Sequence, residues 1–193
     1  MLDPTTHPVY TPGVSLTEVH LALLSRGPCH GYDVKRTYDA WFPDAKPLPF
    51  GQVYATLARL VRDGLAEVVE TRTEGGPERT VYAVTQAGQD RLAQWLDEPA
   101  PPATNGSEDV VRKAVAALHL SDPAGSREVL ARQRAAHLRL MGQLQDDAAL
   151  SSDPAVRLAR RYAVLHLDAD LRWLEEAVDQ LAPSRTATTK GTR

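Results

Sequence analysis

Gln52, Ala55, Arg59 and Arg62 lie along one face of the stretch PFGQVYATLARLVRDGL, which begins at Pro49. Val53, Leu57, Leu60 and Val61 recur at helical spacing on the opposite side. A solvated helix face carries charges of both signs. This one carries an amide, a small residue and two guanidinium groups, with no acid before Asp63. Such a set suits the edges of base pairs. Gln bonds bidentately to adenine and Arg to guanine, while Ala permits close approach and meets a thymine methyl. An acid there would be repelled by phosphate. Tyr54 and Thr56 are further candidate DNA contacts on the same helix. Lys35, Arg36, Lys46, Arg72 and Arg79 flank the helix or the hairpin that follows, and are candidate phosphate partners.

The elements around this helix decide whether it can reach a groove. Residues 1–14 hold three prolines and read as an irregular arm. Ser15 and Glu18 have capping-box spacing and open a first helix, which Gly27 and Pro28 stop. A second helix runs from about His30 to Trp41, and FPDAKPLP is a loop. The quoted stretch is the third helix, ended by Gly64. LAEVVETR and RTVYAVT have strand composition around the turn residues Gly75, Gly76 and Pro77, which makes a hairpin. Thr85 caps a fourth helix. Three helices and then a two-stranded hairpin is the order of a winged helix-turn-helix. There the third helix enters the major groove and the hairpin tip lies beside the backbone or minor groove.

The second half reads as helix throughout. A helix starts near Ser107, Glu108 and Asp109. SDPA then occurs at Ser121 and again at Ser152, each time placing Asp at an N-cap and Pro at the first helical position. The helices so opened run to about residues 148 and 182. The expected fold class is mainly α with a small β-hairpin wing. Its parts are an arm over 1–14, a winged helix-turn-helix over 15–98, a linker over 99–106, a helical dimerisation domain over 107–182 and a polar tail over 183–193.

Bulk charge sets a condition on any DNA reading. The net charge is −3, and residues 1–98 hold nine Lys/Arg against thirteen Asp/Glu. DNA binding must therefore use a local patch. A winged-helix module that binds protein rather than DNA is the alternative. Cys29 is the one cysteine, so no intrachain disulfide is possible, which suits a cytoplasmic protein. No apolar run is long enough to span a membrane, and MLDPTTHPVYTPGV shows no secretory signal. A Gly-rich phosphate loop and a nucleophile triad are both missing, which argues against an enzyme and against a cofactor. His166 and Asp170 share a helix face, with Asp168 and His137 as further candidates. Without a nearby cysteine they read as a solvated face rather than a metal site.

Three stretches carry a resemblance to the PadR family of transcriptional regulators. In LALLSRGPCHGYDVKR the matching residues are Leu23, Leu24, Gly27, Pro28, His30, Gly31 and Tyr32. In VYATLARLVRDGL they are Tyr54, Leu57, Leu60, Gly64 and Leu65. In RTVYAVTQAGQDRL they are Arg79, Tyr82, Thr85, Gly88 and Leu92. VVRKAVAALHL, the two long helices and DLRWLEEAV are similar, more loosely, to the helical C-terminal domain of the longer members.

The resemblance implies a homodimeric repressor on a double-stranded inverted-repeat operator, responsive to a small molecule and dimerised through the C-terminal helices. Leu158, Tyr162, Leu165, Leu171, Trp173, Leu174 and Val178 offer the apolar surface for that interface. Shorter relatives hold flat aromatic ligands against a tryptophan in the fourth helix. By that likeness Trp95 is a candidate contact for an aromatic effector, with Tyr162 and Trp173 as partners.

Overall fold

The computed structural model describes residues 14–72, 79–103 and 108–181; the side chains of Val14, Ser15, Arg72 and Arg79 lie outside that description. The chain forms two compact units, Met1–Glu98 and Pro99–Arg193.

In the first unit, α1 (Val14–Leu24) is buried nearly all round, including Glu18, Val19, His20, Leu21 and Ala22. This suits a central helix packed on several sides. Glu18 does not close a capping box. It is 1% exposed, and its Oε1 accepts from Arg91 Nε at 3.0 Å and Nη2 at 2.7 Å. A carboxylate out of water needs a charged partner, and a guanidinium 73 positions away supplies it. A two-residue strand β1 (Cys29–His30) follows, and then α2 (Gly31–Trp41).

The third helix, α3 (Phe50–Arg62), buries Val53, Thr56, Leu57 and Leu60. It ends in a Schellman turn: Leu65 N–H donates to Leu60 O at 2.9 Å and Gly64 N–H to Val61 O at 3.1 Å. Gly64 has φ +71°, a conformation glycine adopts without strain.

The hairpin is β2 (Ala66–Arg72) and β3 (Arg79–Val84). The sheet is antiparallel with order β1-β3-β2, so the wing gains a third strand at one edge. His30 Nδ1 donates to Thr80 O at 3.1 Å and helps fix that edge. The ladder runs from Ala66↔Val84 to Arg72↔Arg79, with an irregularity between Val68 and Glu70. The expected turn at Gly75, Gly76 and Pro77 lies outside the described residues. In α4 (Gln86–Asp97), Thr85 is the N-cap: its Oγ1 accepts from Gly88 N–H at 3.2 Å and donates to Gly64 O at 2.7 Å.

The second unit holds α5 (Glu108–Leu120), α6 (Pro123–Leu150) and α7 (Pro154–Gln180). Both Asp-Pro openings work as caps. Asp122 accepts from Gly125 N–H at 2.7 Å and Asp153 from Ala155 N–H at 2.8 Å. The three residues between α6 and α7 force an antiparallel pair, which Arg134–Glu175 at 2.9 Å and Arg160–Asp147 at 3.4 Å cross-link.

One cluster in this unit joins Ala100, Val110, Ala114, Leu130 and Leu174, with Trp173 and Val178 packed against it. Gln133 holds Ala100 in place. Its Oε1 accepts from Ala100 N–H and its Nε2 donates to Ala100 O, both at 2.7 Å. This corrects the interface expected from sequence. Leu171 is 7% and Leu174 0% exposed within one chain, so neither supplies an outer surface. Segment 99–103 and α5 cover apolar surface that the α7 pattern left unassigned.

Candidate nucleic-acid interface

The outer face of α3 is built as the spacing predicts. Gln52, Tyr54, Ala55 and Arg59 are exposed, and Ala58, which sequence reading passed over, is exposed between them. Gly51, Ala55 and Ala58 run down the middle of the face and bring the helix backbone close to anything laid against it. Gln52 and Arg59 rim one side, Phe50 and Tyr54 the other.

Thr56 does not belong to this face. It is 3% exposed, and its Oγ1 donates to Gln52 O at 2.8 Å. A threonine hydroxyl that bonds the carbonyl one turn back is satisfied inside the protein and is withdrawn from any base.

The cations differ in how free they are. Arg59 Nη2 donates to Thr17 Oγ1 at 3.0 Å, which holds the guanidinium toward α1. Arg62 is tied to Asp63 at 2.9 Å. Lys35 pairs with Asp39 and Arg36 stands 3.6 Å from Asp33, so both are partly neutralised. Lys46 is exposed on the loop before α3. Arg72 and Arg79 pair across the end of the β2–β3 ladder, while their side chains lie outside the described residues.

Under this face sits a buried imidazole. His20 is 0% exposed and its Nδ1 donates to Leu16 O at 2.7 Å. Burial pushes its pKa down to about 4, and the Arg59 charge adds to the effect. Burial and then Asp33 push the Cys29 thiol up, so it stays protonated and unreactive.

Two aromatic side chains beside the face were not among the DNA contacts expected from sequence. Tyr32, at the start of α2, is 60% exposed and Phe50 is 45% exposed. Their rings stack at 5.9 Å and 15°. Lys35 Nζ lies 5.2 Å from the Phe50 ring centre. The signal was present: Phe50 stands four residues before Tyr54, one turn away on the same face.

The candidate effector residues fall in both units. Trp95 is half-buried near the end of α4. On α7, Trp173 packs on the second unit's core cluster and Tyr162 is 57% exposed, its ring 4.3 Å from that of His166. His137 is fully buried, its Nε2 3.5 Å from Asp170 Oδ2. No group of three His, Cys, Asp or Glu among the described residues could hold a metal ion.

An α1–α2–α3 core, a capped third helix with a cation-bearing outer face and a three-stranded wing define a winged helix-turn-helix protein, here followed by a long-helix unit. Residues 21–94 match the model of the transcriptional regulator PadR-like family. The probable transcriptional regulator Rv1176c of Mycobacterium tuberculosis is 26% identical over 93 residues. That alignment covers 48% of this chain and 49% of the relative, so the chain spans about half of that curated protein's length. Among solved structures, Bacillus subtilis PadR in complex with operator DNA is similar with 22% identity and a TM-score of 0.44, over 86% of this chain and 98% of that one. The Vibrio cholerae virulence activator AphA is similar with 26% identity and a TM-score of 0.38, over 86% and 97%.

Proposed function

We propose that this chain is a sequence-specific DNA-binding transcriptional regulator, a homodimeric repressor on an inverted-repeat operator. The observation that carries the reading is the outer face of α3, where Gln52, Ala55 and Arg59 stand exposed with no acid before Asp63. The PadR-like match over residues 21–94 supports it. The chain is read as a regulator rather than an enzyme. Among its described residues no helix is long and apolar enough to cross a membrane, and a regulator on DNA belongs in the cytoplasm.

Dimerisation is read from α7. Leu158, Tyr162 and Leu165 are 73%, 57% and 50% exposed and follow one another at helical spacing. An apolar stripe of this kind marks an association surface. A flat aromatic effector is the proposed release signal, with half-buried Trp95 in the first unit as its stacking surface; in the second unit Tyr162 is exposed and Trp173 has its indole committed to core packing. Such a ligand shifts the dimer only through its differential affinity for the DNA-competent and DNA-incompetent states.

The alternative, a protein-binding winged helix, draws on the acid excess of residues 1–98. A steep loss of DNA affinity with salt is the signature of phosphate contacts and separates the two.

Arg59→Ala and Gln52→Ala are each expected to cost about 1–3 kcal/mol of specific binding, with a smaller loss on random-sequence duplex. Electrophoretic mobility shifts on both DNAs check this. Equal losses on the two DNAs would place these side chains on phosphates and remove the base-reading role.

A further inference from the structure

Resting on the DNA-binding reading, we propose that Phe50, seated on Tyr32, is a specificity-determining residue that reads a thymine methyl in the major groove. Phe50 is the first residue of α3 and leaves 45% of its surface to solvent; Tyr32 leaves 60%. Two stacked rings in water are a loss that core packing does not recover. The pair stands at the N-terminal end of the groove-facing helix, where residues of a recognition helix meet base edges.

Charge selects the occupant. From Phe50 to Arg62 the helix carries no acid, and Arg59 is exposed on the same helix. The α3 face is therefore apolar on its Phe50–Tyr54 rim and cationic on its Arg59 rim. In the major groove the one apolar feature a base pair presents is the C5 methyl of thymine, which a Phe ring contacts well.

The local packing fixes the ring rather than leaving it to sweep. Tyr32 stacks on it at 15° between planes, and the Lys35 ammonium stands 5.2 Å from its centre while pairing with Asp39. Gly31 makes room for the next aromatic ring along the rim. A Cβ there would lie 2.6 Å from Tyr54 Cε1, so the glycine admits the Tyr54 ring beside α2. Phe50 thus points from a braced position, which a methyl contact requires.

The test uses the full chain and a duplex selected by it from a random-sequence library. Each thymine is replaced in turn by deoxyuridine, which removes the methyl and nothing else. At one thymine of the half-site the replacement is expected to weaken parent binding about fourfold, the worth of one buried methyl group. Phe50→Ala is expected to bind the thymine and deoxyuridine duplexes equally. Phe50→Leu, which keeps an apolar side chain, is expected to retain a preference for thymine. A parent protein indifferent to every replacement overturns the proposal and leaves the DNA-binding reading standing. So does a thymine preference that survives intact in Phe50→Ala. Failure to select any duplex overturns both.

Discussion

Gly88→Ala is expected to destabilise the winged-helix unit by about 3 kcal/mol, although glycine-to-alanine inside a helix ordinarily stabilises. A Cβ at Gly88 would stand 2.1 Å from Leu65 O and 2.7 Å from Val84 Cγ2. The first of these is backbone and cannot swing aside. Leu65 O also accepts from Thr85 N–H at 3.1 Å, and Thr85 Oγ1 in turn bonds Gly64 O. The end of α3, the start of β2 and the cap of α4 therefore meet at one point, and a methyl group there pries them apart. The comparison is Gly51→Ala, where a Cβ meets nothing within 4 Å, and stability is expected to hold or rise slightly. Urea unfolding of the two variants measures both. An unfolding midpoint for Gly88→Ala equal to the parent's would mean that the close packing of α4 on the α3–β2 turn is not as described.

The second large effect is on pH dependence. His20 has its pKa lowered from 6.5 to about 4 by burial, opposed by its bond to Leu16 O and reinforced by Arg59. The folded chain holds this imidazole neutral, whereas the unfolded chain protonates it below about pH 6.5. Between these values the unfolded state binds more protons, so stability falls as pH falls. At 1.36 kcal/mol per pKa unit, the full loss approaches about 3 kcal/mol near pH 4, and about 2 kcal/mol is gone at pH 5. Above pH 7 the group contributes no slope. His20→Gln removes the titration, and its stability is expected to fall less than the parent's between pH 7 and pH 5, as followed by urea unfolding. Identical pH profiles for parent and variant would contradict a buried neutral His20.

Elements set by short-range rules were legible in the sequence. Thr85, Asp122 and Asp153 sit two or three residues from the N–H groups they cap, and the turn at Gly64 needs only a positive φ. What sequence reading missed is joined over long separations. Glu18 was assigned to Ser15 three residues away, but Arg91 claims it from 73 positions off. The strand Cys29–His30 is two residues long, too short for an alternation, and exists because Tyr82 and Val81 lie opposite it.

The interface showed the same limits. Gln52, Ala55 and Arg59 were readable because helical period alone separates them from Val53, Leu57 and Leu60. Thr56 looked polar and available, yet it lies toward the buried side, where a backbone carbonyl satisfies its hydroxyl. Leu174 looked like surplus apolar surface because its packing with Ala100, Val110 and Ala114 leaves no periodic trace.

The most direct measurement is footprinting of the full chain on its selected duplex. The α3 faces of a two-fold dimer must enter successive major grooves on one side of the DNA. Two protected half-sites in inverted repeat are expected, their centres about one helical turn, ~34 Å, or a multiple of it apart. A single asymmetric half-site, or no protection at concentrations where the chain is folded, would contradict a dimeric regulator that reads DNA through α3.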